Sequence, residues 1–340
     1  MSVNEHLAQY SNWAYTSCVV IYVLAMFLYL AEQAFGKTRA QQTGARQLVT
    51  AGGGGTVTAA QTPPGSPAGP SGLTEPGDPV DTGRPGDRPV SERMGRMAVA
   101  LTVLGLAVHL GSIVLRGLSV HRWPLGNMYE FISFFALVAI SAWLYMSRRF
   151  AIRRLGAYVL LPVLILMFLG GTVLYAQAEP VQPALQSYWL VIHVTVVSSA
   201  SGILLVPGVA SVLYLLRAAN ERNPDFLARF APKLPTATTL DRLAYRTTIF
   251  GFPLFTFGVI CGAIWAESAW GRFWGWDPKE TTSFIAWVVY AAYLHSRATA
   301  GWRGNRAAVI NVLGLAVMIF NLFFVNFVDT GLHSYAGVGS

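Results

Sequence analysis

Apolar positions along this chain fall into long continuous runs, near 13–35, 98–116, 129–146, 157–176, 188–216, 247–266, 279–296 and 307–327. A helix needs about 20 apolar residues to cross a hydrocarbon core of about 30 Å, so the pattern predicts eight transmembrane helices. Hydrocarbon offers no partner to a backbone N–H or C=O, so each span must satisfy its own. The fold class that follows is all-α: a polytopic membrane helical bundle.

One stretch breaks the pattern. Residues 51–89 hold ten Gly and eight Pro with almost no large apolar side chains, too little burial to offset the entropy of ordering the chain. The predicted organisation is an N-terminal transmembrane helix in 1–35, a disordered Gly/Pro-rich linker in 36–95 and a seven-helix membrane domain in 96–340, with no convincing internal repeat. Two helix starts are legible. Asn127 precedes Glu130 by three positions, an N-cap with a reciprocal carboxylate. Asp277, Pro278 and Glu280 repeat the arrangement, with proline at the first helical position.

Composition and charge sharpen this picture. The chain is 54% hydrophobic and 12% charged, with a mean hydropathy of +0.46, which excludes an ordinary soluble domain. Its net charge of +8 is not the footprint of a nucleic-acid binder, because the basic residues segregate by side. Twenty lie in the linker and in the segments around 148–154, 217–246 and 297–306, against four on the other side: Arg116, Arg122, Arg272 and Lys279. By the positive-inside rule the basic side is cytoplasmic and both termini are outside. The first span lacks a basic n-region and a small-residue cleavage site, and is expected to be retained. Cys18 and Cys261 stand in separate spans with no CxxC, so no thiol chemistry is assigned.

Candidate chemistry gathers in WGRFWGWDPKE, residues 270–280. The helix start at Pro278 presents unpaired N–H groups and partial positive charge, flanked by Arg272 and Lys279, although capping alone accounts for Asp277 and Glu280. Trp270, Trp274 and Trp276, with Phe273 and nearby Trp265 and Trp287, exceed what an interfacial aromatic belt requires. A large planar amphiphile with anionic groups would use rings, indole N–H groups and cations together. His193, about 6 Å inside its span at about 1.5 Å per residue, and His333, just after the last span, can reach the loop. Two neutral imidazoles beside an aromatic platform suit axial ligation of haem iron; two unrelated interfacial histidines are the alternative.

His295 lies about 26 Å down the helix from Pro278, near the cytoplasmic face, and a partner ligand would have to come from elsewhere. His109 reads as a hydrogen bonder between helices, His121 as solvated and His6 as incidental. No phosphate-cradling glycine loop, HExxH or Ser-His-Asp set occurs, so nothing suggests hydrolysis.

The same residues carry a resemblance. WGRFWGWDPKE with the following TTSFIAWVVYAAYLH resembles the tryptophan-rich "WWD" signature of haem-handling proteins, specifically the CcsA/ResC family of System II cytochrome c biogenesis, called CcsB in some bacteria. WPLGNMYE, the LVIHV around His193 and the terminal DTGLHSY extend the likeness over about 98–340. The resemblance implies a haem-handling domain whose outer loop, 265–280, presents reduced haem b held by His193 and His333. Trp270, Trp274, Trp276, Asp277, Arg272 and Lys279 would then line the cofactor site, and His295 would belong to an inner haem site.

It further implies a ResB-type membrane partner, an apocytochrome c whose CxxCH receives the haem, and a thiol-reducing protein. The chain would be a subunit of a holocytochrome c synthase (haem lyase) complex rather than an enzyme on its own. It would work in the plasma membrane, among lipid, with the site on the extracytoplasmic face and no nucleic-acid partner. The long linker departs from the family's compact pattern and receives no function. Two alternatives stand beside this: a System I delivery protein of the CcmC or CcmF type, and a small-molecule transporter. The latter should carry broken helices or inverted repeats around a midplane site, and only a possible kink at Pro207 points that way.

Overall fold

A computed structural model describes residues 3–35, 89–180, 186–327 and 332. They form eight long helices and, among the described residues, no strand: α1 (Glu5–Phe35), α2 (Val90–Val120), α3 (Met128–Arg149), α4 (Gly156–Thr172), α5 (Tyr188–Arg222), α6 (Ala237–Trp270), α7 (Pro278–Ala298) and α8 (Asn305–Phe327). All but α7 are long and apolar enough by composition to cross a membrane, α4 together with the short helical turn at Arg153–Leu155 that leads into it. The exception has 21 residues but carries Lys279, Glu280, His295 and Arg297 at its ends. The eight runs of the sequence thus become a polytopic membrane bundle. Residues 36–88, most of the expected linker, lie outside the described residues, and α2 begins at Val90, inside the stretch assigned to that linker.

α1 and α2 meet along a heptad seam. The buried positions of α1 include Ser11, Tyr15, Cys18, Tyr22, Ala25, Tyr29 and Glu32, alternating steps of four and three. Those of α2 are Gly95, Ala98, Thr102, Gly105, His109, Ser112, Arg116 and Ser119, with the same alternation. Such spacing keeps one stripe of each helix facing the other, and small residues on α2 let the tyrosines of α1 approach its backbone. The pairing is antiparallel: Ser11 Oγ donates to the Ser112 carbonyl at 2.8 Å, while Tyr29 meets Thr102 at 3.4 Å. Glu32, near the far end, accepts from Arg153 at 2.6 Å.

α5 lies at the centre, packed against α3, α6 and α8. A Cβ at Gly202 would fall 2.6 Å from the Phe135 carbonyl oxygen, so only glycine lets α5 lie this close to α3. Pro162, Pro207 and Pro253 all sit within continuous helices, so none of these spans is broken in the way a midplane transport site requires. α7 pairs with α8 and touches α6 more lightly. Alternation of the helices puts the loops 121–127 and 271–277 and the segment 173–180 at one end of the bundle, the tryptophan end. At the opposite, arginine-rich end, Arg297 holds Asp241 through two bonds of 2.6 and 2.8 Å.

Candidate functional site

The turn between α6 and α7 is shaped by carboxylates. α6 stops at Gly271, whose φ of 69° is left-handed and whose N–H reaches the Glu267 carbonyl. Asp277 caps α7, accepting from the Lys279 N–H at 3.0 Å. Glu280 reaches back to accept from the N–H groups of Gly275 at 2.8 Å and Asp277 at 3.2 Å. The capping box legible in the sequence is therefore formed, and its two carboxylates already fill the helix N-terminus that could have taken an outside anion. Asp277 has a second duty: its Oδ2 accepts from the Leu332 N–H at 2.8 Å, tying that residue to the loop.

The two cations of the loop also turn inward. Arg272 lies 5.8 Å over the Trp270 ring and contacts Glu280 at 3.3 Å; a Cβ at Gly275 would run into its guanidinium. Lys279 Nζ donates to the Asn321 carbonyl of α8 at 3.2 Å. The tryptophans divide into two sets. Trp270 meets Trp265 edge-on at 4.8 Å, whereas Trp274 and Trp276 pair at 5.9 Å and both lean on Phe284. Trp276 is 66% exposed and adopts a φ of 57°, a left-handed conformation costing a residue with a Cβ of order 1–3 kcal/mol.

Below the loop opens a cavity of about 460 Å³ walled by α3 to α8, within the usual size of a small-molecule site. His193, Trp265, Trp274, Lys279 and Glu280 line it, while Trp270, Arg272, Trp276 and Asp277 stand around the turn above. The remaining lining is mainly apolar, with Tyr290 toward the inner end. The Tyr290 hydroxyl is buried and has no hydrogen-bond partner among the described residues.

His193 is the most determined side chain here. Its Nδ1 lies 2.8 Å from the Gly258 carbonyl. A carbonyl can only accept, so Nδ1 carries the proton, and in the neutral ring the lone pair belongs to Nε2. The ring lies nearly parallel to Trp265, at 8° and 6.3 Å between centroids, and sits where a Cβ on Gly262 would otherwise be. A backbone partner fixing one nitrogen of a histidine is the usual support of a metal-ligating imidazole, so the arrangement fits an iron ligand.

The other histidines separate from it. His333 lies outside the described residues. His295 is exposed near the arginine-rich end of α7. His109 is fully buried, with Nε2 3.0 Å from Ser133 Oγ and Nδ1 3.4 Å from the Tyr22 hydroxyl. His121, left-handed at φ 52°, ends α2, and His6 lies exposed in the first turn of α1. Among the described residues no cluster of three or more His, Cys, Asp or Glu could hold a bare metal ion.

Sequence reasoning passed over Gly258, Gly262 and Tyr290. Two glycines one turn apart in span six were the available signal for the first pair; nothing in the sequence marks Tyr290. It also passed over the knot at the neighbouring loop, where Glu130 accepts from Arg116 Nε at 3.0 Å, Arg122 Nη1 at 2.8 Å and the Gly126 N–H at 2.7 Å. That knot holds Gly126, Asn127 and Met128 at the cavity wall.

Comparison with known proteins adds a family to this geometry. The model of the cytochrome c assembly protein family matches residues 125–333, leaving α1 and α2 outside the match. The cytochrome c biogenesis protein CcsA of Guillardia theta is 36% identical over 260 residues, 71% of this chain and 85% of that protein. CcsA of Prochlorococcus marinus is 35% identical over 266 residues, 71% of this chain and 83% of its own length. CcsA of Synechococcus elongatus is 34% identical over 285 residues, covering 71% and 87%. Among solved structures the cytochrome c haem lyase CcmF superposes with a TM-score of 0.54 at 18% identity, over 95% of this chain but 47% of that one. The chain thus spans about half of CcmF, and at that identity the likeness is one of fold.

Proposed function

Because the chain belongs to the cytochrome c assembly protein family, as a CcsA-type membrane protein of cytochrome c biogenesis, we propose that its cavity holds haem b for transfer to apocytochrome c. In this reading the cavity is the haem platform, and His193, through Nε2, and His333 would hold the iron. The observation that carries the reading is the hydrogen bond from His193 Nδ1 to the Gly258 carbonyl, which leaves the metal-binding lone pair on the other nitrogen.

Bound haem would supply two vinyl groups, to which the CxxCH thiols add, each S–H adding across a C=C with nothing released. The chain's own share is to orient and to exclude water. Trp265 and Trp274 offer flat surfaces, and Lys279, with Arg272 at the mouth, offers positive charge to propionates. His295, exposed on the bundle surface, would supply one ligand of an inner haem site, with the ResB-type partner supplying the other. The arginine-rich end would face the cytoplasm and the tryptophan end the extracytoplasmic side of the plasma membrane, where a thiol-reducing protein keeps the acceptor cysteines reduced.

The test is the visible spectrum of the purified chain, oxidised and reduced, with and without the ResB-type partner. A low-spin bis-imidazole spectrum that weakens in His193→Ala is expected. A spectrum with haem unaffected by that substitution would remove His193 from the iron.

A further inference from the structure

Exposed side chains line the cavity at two places. Three of the residues lining it are themselves strongly exposed: Phe273 at 60%, Ile165 at 52% and Ile319 at 43%. Phe273 marks the opening at the tryptophan loop, but the two isoleucines lie within helices. Ile165 is seven residues before the end of α4 at Thr172, and Ile319 eight before the end of α8 at Phe327. At about 1.5 Å per residue, both lie roughly 10–12 Å below the tryptophan end. They are therefore level with each other and inside the hydrocarbon zone. His193 and Trp265, each five residues from the tryptophan-end terminus of its helix, lie only slightly above them.

The two helices that carry these isoleucines scarcely meet. α8 packs along α7 and α5, and α4 against α3 and α1, but α4 and α8 barely touch. A mouth at this depth faces acyl chains, and its isoleucine rim offers nothing to a water-borne solute. Whatever exchanges through it must dissolve in hydrocarbon. A flat, largely apolar macrocycle meets that requirement.

We propose that the cavity loads sideways, the macrocycle passing from the bilayer to His193 between α4 and α8, past Ile165 and Ile319. The proposal rests on the haem reading and deepens it by stating the form in which substrate arrives. The two mouths then divide the work: the lateral one receives from lipid, and the one at Phe273 faces the acceptor protein. When no macrocycle is present, an acyl chain entering by the same route would regain the dispersion contacts that the isoleucine-lined side of the cavity otherwise forfeits.

The experiment seals the side mouth in the full chain, reconstituted in lipid nanodiscs. Ile165→Cys and Ile319→Cys are joined by a bifunctional methanethiosulfonate; native Cys18 and Cys261, at 0% and 1% exposure, are shielded from it. Haem is offered dissolved in vesicle bilayers and uptake is followed at the Soret band. In parallel, quenching by acyl-chain-brominated lipid is measured for the Trp265 share of the fluorescence, obtained by difference from Trp265→Phe.

Sealing is expected to slow uptake by roughly an order of magnitude and to remove the quenching, with both restored by reduction. Singly labelled proteins should behave as the unlabelled one. Uptake and quenching indifferent to sealing overturn the lateral route and leave the haem reading standing. Quenching that sealing removes, in a chain that takes up no haem even when open, sustains the portal and overturns the haem reading.

Discussion

The imidazole of His193 occupies the place of a side chain that Gly262 lacks: a Cβ there would fall 2.5 Å from Cε1 and 2.7 Å from Nδ1. One turn earlier on α6, the Gly258 carbonyl takes the Nδ1 proton, and three residues later Trp265 lies parallel to the ring. A single face of α6 thus provides space, orientation and a wall for a histidine that belongs to α5. No exposed interfacial histidine would need this degree of support, and the cost of burying its polar edge is met by one directional bond.

Gly262→Ala tests whether that seat matters. The methyl group must displace the ring, breaking the bond to Gly258 and costing about 1–3 kcal/mol, as small-to-large changes in packed sites do. The expected outcome is a protein that still accumulates in the membrane but whose haem spectrum loses its bis-imidazole character. Gly111→Ala on α2, where an added Cβ meets nothing within 4 Å, is the control, expected to be neutral or more stable by about 0.5–1 kcal/mol from helix propensity. Equal spectra from the two variants would falsify the seat.

His109 and His295 are expected to behave oppositely. Both nitrogens of His109 have partners in neighbouring helices, so His109→Ala should cost about 1–3 kcal/mol through the polar groups it strands while cytochrome c maturation persists at lowered protein levels. His295 is exposed, and His295→Ala should leave thermal stability unchanged while abolishing maturation. Measuring maturation per unit of protein, by haem staining against immunoblot, separates the cases. Full maturation in His295→Ala would sink the inner site.

Legibility of these features in the sequence followed range. Spans, caps and the aromatic loop are local: apolar run length, Asp277 before Pro278, and tryptophan density all sit within one segment. The eight helices and the capping box therefore follow from pattern alone. The seat of His193 does not, because Gly258 lies 65 positions away and acquires its meaning only when α5 and α6 pair. The inward turn of Lys279 onto the Asn321 carbonyl is equally non-local, and so is the proposed side mouth, which depends on how little α4 and α8 touch. The heptad seam was open to inspection in α1 and α2, yet its residues are tyrosine, serine, glycine and histidine rather than leucine, so in a membrane span it shows as polarity and not as hydrophobic periodicity.

Glu130 ties the second loop of the tryptophan end. Its side chain and that of Arg116 are 1% and 3% exposed, and Arg122 joins them at 2.8 Å. Removing the single carboxylate leaves buried positive charge uncompensated, so Glu130→Ala should destabilise by about 3–5 kcal/mol, whereas taking away one partner of an exposed pair costs little. Glu221→Ala, which removes the exposed partner of the pair with Arg217, is the comparison and should change stability by less than about 1 kcal/mol. Thermal unfolding in detergent, followed by intrinsic fluorescence, distinguishes them. Similar melting temperatures for both variants would mean that the knot is not what holds Gly126 to Met128 at the cavity wall.

α1 lies outside the stretch matched by the family, and it packs along α2 and against α4. Tyr22 is fully buried against Gly105, where a Cβ would come within 2.6 Å of its ring. Neighbouring Tyr15 donates to the Met167 carbonyl of α4 at 2.7 Å. If packing alone retains α1, cutting the chain between 36 and 88 should leave the helix bound. A protease site placed in that segment of the full chain, cleaved after purification, should yield two fragments that co-elute in detergent. Gly105→Leu in the same background forces Tyr22 out of its place and should release α1, while Gly111→Leu should not. Release of α1 from the unsubstituted protein would mean that the connecting segment holds the helix in place, and the seam would lose its assigned role.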